Sequence, residues 1–400
     1  MAVYVELGTV AERAAKLGSV VSGLYDQESD GGKVKSLSEA VGQENILQLA
    51  QLVTDDLNTI LSKAPSSSDA EGIFNLLQSF VRNLDNGNTE KLVRKAMDTL
   101  TEDTKDNPLL RLKLMTSMFN TYGENATLSF LIFLGILTYA TAARYAGTVV
   151  AELSKIDTWG GKWALAAEQE RARGIYLAAH KLLETLHGQQ TKSLAYLMKY
   201  LRTFDDAKGN DLAVCKEEAV AAACKALVLP SVYEIDTYLS VSAIAQLKED
   251  PKYASLHDLL HIFAEGNMAN FKTFEEKNGD YVTKTFNLNM ENLARRLRIL
   301  CLASLGANNT TVSFRQISVE LGVSTDDIVF WVFEAISAGA MEARIDEQLE
   351  LIYVTWSKRR RFGAEDWKVL QANLHHYQKN LAYYASLLEK GSLQAQVSQQ

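Results

Sequence analysis

The chain has 400 residues, enough for two or three packed units, and 4 prolines, about a fifth of ordinary usage. Its formal net charge of −8 excludes wholesale wrapping of nucleic acid, which needs a basic face to displace counterions, and leaves room for a local contact at most. Cys215, Cys224 and Cys301 form no CxxC pair, so neither a disulfide framework nor a zinc site is indicated, and a reducing compartment is expected.

So few prolines argue for long helices, and the expected class is mostly α with a minor β part. Met1 to Gly8 lacks a basic stretch followed by an apolar core, so no secretory signal is expected. Gly18 to Gly42, with Gly31 and Gly32 in its middle, reads as a mobile connection, as does Pro65 to Ala70 with its three serines. From Glu44 to about Leu186 the apolar residues return at helical spacing, as in Ile73, Leu76, Leu77, Phe80 and Val81, and predict paired antiparallel helices. Pro108, preceded by Asp106 and Asn107 as cap candidates, opens a helix over Leu109 to Phe119. Asn125 to Ala143 carries no charge, long enough to graze a bilayer, but its Asn, Thr, Ser and Gly fit a buried central helix better, and no membrane partner is expected.

Trp159-Gly160-Gly161-Lys162-Trp163 reads as a turn between helices rather than a ligand cradle. Further helices are predicted over Ala166 to His187, Lys192 to Phe204, Leu212 to Leu227, Ile235 to Gln246 and Ser255 to Glu265. Their short links suit a stacked helical-hairpin solenoid of the HEAT or TPR kind, although no strict tetratricopeptide or ankyrin signature is present. Such a stack exposes a curved surface better suited to binding protein than to catalysis.

After Thr285 the pattern changes. Met290, Leu293, Ala294, Leu297, Leu300 and Cys301 fall on one helix face, while Arg295, Arg296 and Arg298 point elsewhere. Ser313 to Leu321 predicts a second helix stopped by Gly322, and Ser324 to Asp327 an S-x-x-D cap for a third helix reaching Ala338. Strand-like runs follow at Met341 to Ile345 and Leu349 to Trp356, joined by a turn at Asp346 to Gln348, and the order is that of a winged helix. A final helix repeats Trp367, Leu370, Leu374, Tyr377, Leu381, Tyr384 and Leu388 at alternating spacings of three and four, an a/d seam for bundling with other helices, before a polar tail from Gly391 to Gln400.

Catalytic chemistry finds no foothold in this pattern. His257 and His261 share a helix face at i, i+4, but Asp258 stands where a zinc protease has glutamate and no third ligand is evident. His180 with His187, and His375 with His376, read as packing or solvated residues. No His-x-His pair, phosphate-binding glycine loop or nucleophile elbow occurs, so no enzyme activity and no cofactor are expected. Base readout is also disfavoured, because the third helix of the winged helix, Thr325 to Ala338, has no basic or amide side chain and begins with Asp326 and Asp327. Ile328, Trp331, Val332, Ala335 and Ile336 should pack inward there, leaving Phe330 and Phe333 as either a docking patch or a cover for the terminal helix.

A helical array followed by a winged helix resembles the PCI-domain family, the module shared by the proteasome lid, the signalosome and translation initiation factor 3. Leu110-Arg111-Leu112-Lys113-Leu114, Lys199-Tyr200-Leu201, Lys216-Glu217-Glu218-Ala219-Val220, Leu259-Leu260 with Ile262-Phe263, and Phe362-Gly363 followed by Trp367 are similar, in matching order, to the initiation-factor branch. The expected organisation is an N-terminal helical region over residues 1–108, a helical-repeat array over 109–284, a winged helix over 285–357, and a basic linker with bundling helix and tail over 358–400. The resemblance implies a cytoplasmic, non-catalytic scaffold subunit. Its implied partners are the other PCI and MPN subunits of initiation factor 3 and, through that complex, the small ribosomal subunit during preinitiation-complex formation. A signalosome or proteasome-lid subunit and an RNA-binding PCI adaptor are the alternatives. Lys358-Arg359-Arg360-Arg361, the densest positive run, reads as a rim that meets ribosomal RNA or acidic neighbours, or as a solvated loop.

Overall fold

A computed structural model describes residues 10–25, 31–43, 45–205, 210–361 and 363–397. They fall into two compact units, Met1–Thr203 and Phe204–Gln400. The first is wholly helical among its described residues: α1 (Val10–Ser22), α2 (Gly31–Gly42), α3 (Ile46–Asp55), α4 (Leu57–Lys63), α5 (Ser67–Val81), α6 (Asn86–Glu102), α7 (Pro108–Thr121), α8 (Ala126–Ala142), α9 (Val150–Leu153), α10 (Ile156–Gly160), α11 (Gln169–Glu184) and α12 (Gln190–Arg202). Helix starts follow local chemistry, since Asn45, Ser66, Asp85 and Asn125 each accept hydrogen bonds from backbone N–H groups of the first turn. Successive neighbours pack face to face, α5 on α7, α6 and α7 on α8, α8 on α11, and α11 on α12.

The expected mobile connection over Gly18 to Gly42 is corrected here, because helices α1 and α2 occupy most of it, residues 26–30 lying outside the described residues. Gly18 serves packing rather than freedom: a Cβ there would come within 2.6 Å of Val41 Cγ2, so its missing side chain lets α1 approach α2. In the second predicted connection, Pro65 marks the break while Ser66 caps α5.

The uncharged stretch at Asn125 forms α8, wrapped by α6, α7 and α11. No described helix is long and apolar enough to cross a membrane. Around α8 lies an aromatic cluster, with Trp159 packed 5.1 to 5.3 Å from the rings of Phe119, Phe133 and Trp163. Trp163 is fully buried, and its indole N–H donates to Ser129 Oγ at 3.0 Å. The Trp-Gly-Gly-Lys-Trp segment thus begins in the last residues of α10, continues as a turn from Gly161, and plugs the core with its tryptophans.

The second unit contains α13 (Asn210–Val214), α14 (Lys216–Val228), α15 (Asp236–Leu239), α16 (Ser242–Ala245), α17 (Ala254–Glu265), α18 (Met268–Phe286), α19 (Met290–Asn308), β1 (Thr311–Ser313), α20 (Phe314–Leu321), α21 (Ile328–Ser337), β2 (Met341–Asp346), β3 (Leu351–Ser357) and α22 (Ala364–Val397). Two predicted helices are broken: buried Cys215 separates α13 from α14, and Ser240 and Val241 interrupt the run from Ile235. Helix α18 escaped the periodicity reading because polar residues fill much of it.

Helices α19, α20 and α21 with the small sheet make the expected winged helix. Ser313 and Gln316 form a reciprocal capping box on α20, and Gly322 ends it at φ 63°. The predicted S-x-x-D cap is corrected, because Ser324 donates to Asp327 Oδ2 instead, and α21 starts one turn later, at Ile328. The predicted hairpin is three-stranded: β1 pairs with β3 through Thr311–Tyr353, β2 with β3 through Ile345–Ile352, and the order is β1-β3-β2. Helix α22 runs through Gly391 to Val397, so the expected polar tail is helical up to that residue, and residues 398–400 lie outside the described residues.

Three arginines are almost fully buried, and each caps the carboxyl end of a helix. Arg111 donates to Thr99 O and Leu100 O of α6 at 3.1 and 3.2 Å, and also to Asp106 O and Asn58 Oδ1. Arg296 donates to Ala226 O of α14 at 2.7 Å and to Val232 O at 2.5 Å. Arg360 serves α17. The last four carbonyls of a helix lack intrahelical donors and carry the negative end of its dipole, so a guanidinium is a suitable stopper. The expectation that Arg296 points away from the packed face is therefore corrected: it is buried, and desolvation pushes its pKa down to about 10.

Candidate protein-interaction surfaces

Helix α21 is almost entirely apolar, with more greasy circumference than one core can cover. Ile328, Val332 and Ala335 take the inward stripe and are fully buried. Trp331 is half-buried beneath the Arg298 guanidinium, 4.9 Å from its ring, and Arg295 grips Glu334 at 2.5 and 3.1 Å. The flanks of α21 are therefore held by α19. Phe330 and Phe333 face outward, 52% and 57% exposed. Tyr353 and Trp356 of β3 add exposed aromatic surface that alternation along the strand did not reveal, since both of its faces are apolar.

In α22 the seven seam residues Trp367, Leu370, Leu374, Tyr377, Leu381, Tyr384 and Leu388 are 38% to 75% exposed. A shallow groove of about 290 Å³ runs along the stripe between Trp367 and Gln378. Tyr383 and Leu387 are exposed as well, so the apolar stripe is wider than a strict a/d seam. Phe362, part of the resemblance at this junction, lies outside the described residues.

The basic run divides by environment. Arg360 is 9% exposed, its Nε donating to Ser304 Oγ at 2.6 Å and its Nη1 to Gly266 O and Phe263 O at 3.1 and 3.4 Å, so it belongs to the core and neither reading of the run as a surface rim or loop holds for it. Arg359 pairs with Asp366, and Arg361 with Glu265 at 2.5 Å. Lys358 Nζ sits 4.0 Å from the Tyr233 ring centroid. Spacing along the chain could not pair these cations, because their partners lie up to 125 positions away.

Among the histidines, His257 is half-buried with Nδ1 shielded from any described acceptor, and burial holds its pKa below the ordinary value, while His261 is exposed. His180 is buried, with Nδ1 2.9 Å from Ser193 Oγ and Nε2 3.6 Å from Glu184. Ser193 is itself 1% exposed, so its hydroxyl and the His180 ring face packed side chains, while Glu184 lies at the surface. Among the described residues no three His, Cys, Asp or Glu side chains gather as a metal site would require.

Comparison with known proteins agrees with this geometry. The model of the PCI domain matches residues 270–356, which span most of α18 and the winged helix up to β3. Along nearly the whole chain there is similarity to proteins named eukaryotic translation initiation factor 3 subunit M. The relative from Dictyostelium discoideum is 23% identical over 377 residues, 92% of each chain. That from Nematostella vectensis is 26% identical over 359 residues, 89% of this chain and 90% of its own. The human relative is 22% identical over 375 residues, 93% and 92%. Residues 270–356 thus match the PCI domain, within a similarity to subunit M of initiation factor 3 that runs along nearly the whole chain.

Proposed function

We propose that this chain is a non-catalytic scaffold subunit of translation initiation factor 3 that acts in the cytoplasm by holding other subunits together. The observation that carries this reading is the exposed seam of α22. Covering one fully exposed large apolar side chain is worth about 1.5–3 kcal/mol, so these seven, already partly covered, supply on the order of 6–13 kcal/mol before the cost of association. A stripe of that size on a 34-residue helix suits a bundle with helices of sister chains. The winged helix adds a second contact through Phe330 and Phe333 and through β2, which borders the sheet and can pair edge to edge. On this reading the chain sits beside the PCI and MPN subunits and, through them, on the small ribosomal subunit during preinitiation-complex formation. Any contact of the basic run with ribosomal RNA falls to the partly exposed Lys358, Arg359 and Arg361.

Affinity purification of the tagged chain with mass spectrometry of its partners tests this reading. Initiation factor 3 subunits and small ribosomal subunits should co-purify, and Leu374→Asp with Leu381→Asp should release them while the chain stays folded. Recovery of signalosome or proteasome-lid subunits in their place would overturn it.

A further inference from the structure

In the small sheet of the winged helix, one face packs on α19 and the other is open. Val354 and Ser357 lie on the α19 side: a Cβ on Gly306 would come within 3.1 Å of Val354 Cγ1 and 3.3 Å of Ser357 Cβ, and Ser357 donates to Ala303 O at 2.7 Å. Strict alternation along β3 would put Trp356 on that side as well. The register of β2 against β3 prevents it, because Glu342 pairs with Trp356 and Ala343 with Val354, leaving Thr355 as an extra residue. A bulge re-aims a side chain, and this one turns Trp356 outward, 48% exposed, onto the open face that carries Tyr353, 41% exposed.

Register also sets the charges beside these rings. Glu342 stands directly across from Trp356 and Arg344 across from Tyr353, both exposed and neither held in an ion pair among the described residues. Two positions along a strand separate them by about 7 Å. An aromatic ring beside a carboxylate receives a guanidinium or ammonium group, and an arginine receives a carboxylate. We propose that this face docks a segment of a partner polypeptide that presents a basic side chain to Trp356 and Glu342 and an acidic one, about 7 Å away, to Arg344, an inference that takes from the proposed function only that partners exist. Single-stranded RNA also stacks on aromatic rings, but its phosphates carry one sign. Glu342 opposes them at Trp356, and exposed Glu347 and Glu350 oppose them at the turn between β2 and β3. Mixed charge is matched on this face, whereas uniform charge is not.

The test places a photoreactive benzophenone amino acid at exposed Thr355 in the full chain, assembled in cells and purified with its complex. Irradiation and mass spectrometry should yield an adduct to one segment of another polypeptide that carries both a basic and an acidic residue. Trp356→Leu, which keeps apolar area but loses the aromatic face, and Glu342→Gln should each lower the adduct yield at least fivefold with Tm within a few degrees of wild type. Glu347→Gln, in the turn, should leave the yield unchanged. Glu342→Arg should abolish the adduct, and replacing the segment's basic residue by glutamate should restore it to that variant. No adduct, an adduct to RNA, an adduct to a segment without a basic residue, a yield unchanged by Trp356→Leu or by Glu342→Gln, or failure of the charge swap to restore it would each overturn the proposal. Co-purification of the wild-type chain with initiation factor subunits is scored separately, so loss of that result bears on the proposed function and loss of the adduct bears on the sheet face.

Discussion

Replacing Arg360 by alanine separates the two roles folded into the basic run. Its guanidinium donates to Ser304 Oγ, Gly266 O and Phe263 O from a site only 9% exposed, so truncation strands two carbonyls at the end of α17 and opens a void. Hydrogen bonds from a charged donor contribute about 1.5–3 kcal/mol each. The 3.4 Å contact is near the limit of a hydrogen bond and neighbouring losses do not add, so the expected destabilisation is about 3–5 kcal/mol. For a unit of this size that lowers Tm by roughly 6–20 °C. Arg361, paired with Glu265 where both side chains are largely exposed, should cost no more than about 1 kcal/mol when truncated. Thermal and urea unfolding of the two alanine variants, side by side, measure the contrast. Equal stability would refute the assignment of Arg360 to the core. Conversely, if Arg360→Ala folds like wild type yet loses an RNA crosslink, the run is a surface contact after all.

Other perturbations test the remaining surfaces. Trp163→Phe removes the indole donor to buried Ser129 Oγ and part of the aromatic cluster, and should cost about 1–3 kcal/mol by urea unfolding. Phe330→Ser with Phe333→Ser should leave Tm within a few degrees of wild type, since both rings are exposed, yet reduce recovery of partner subunits on affinity purification. His257, whose pKa burial lowers below 6.5, stays neutral in the folded chain at pH values where the unfolded chain takes up a proton. Its contribution to stability is therefore intact above pH 6.5 and falls as pH drops below that, and His257→Asn should flatten this part of the stability profile.

Periodicity made much of this fold legible before any coordinates. The uncharged α8, the a/d stripe of α22, and the helix, helix, turn, helix order of the winged helix all announce themselves by which residues recur and where Gly322 interrupts. What stayed hidden depends on partners distant in the chain. Gly18 looks like a hinge until Val41 is seen against it, and β1 is three residues long, a strand only because β3 supplies the edge. The roles of Arg111, Arg296 and Arg360 were equally invisible. Arg296 and Arg360 lie in runs that read as surface charge and Arg111 stands among leucines, and only the arrival of another helix's carboxyl end gives each guanidinium its acceptors. Phe330 and Phe333 were legible as outward-facing because α21 is short and its inward stripe is filled by Ile328, Val332 and Ala335.

The same bookkeeping of charge explains why apolar contact, rather than charge, should govern assembly. Of the arginines at the winged helix, Arg295, Arg359 and Arg361 are paired with acids, Arg296 and Arg360 are spent on helix ends, and Arg298 lies on Trp331. Exposed Arg315 and Arg344 are left to face phosphate, but the aromatic and aliphatic stripe of α22 is the larger outward surface. Partner recovery from the wild-type chain should accordingly survive rising salt, because burial of apolar area is not screened, while any RNA contact should weaken steeply over the same range. Washing the purified assembly from about 0.1 to 0.5 M salt decides between these. Loss of the partner subunits in step with the RNA would mean that charge holds the assembly and that the exposed seam does not.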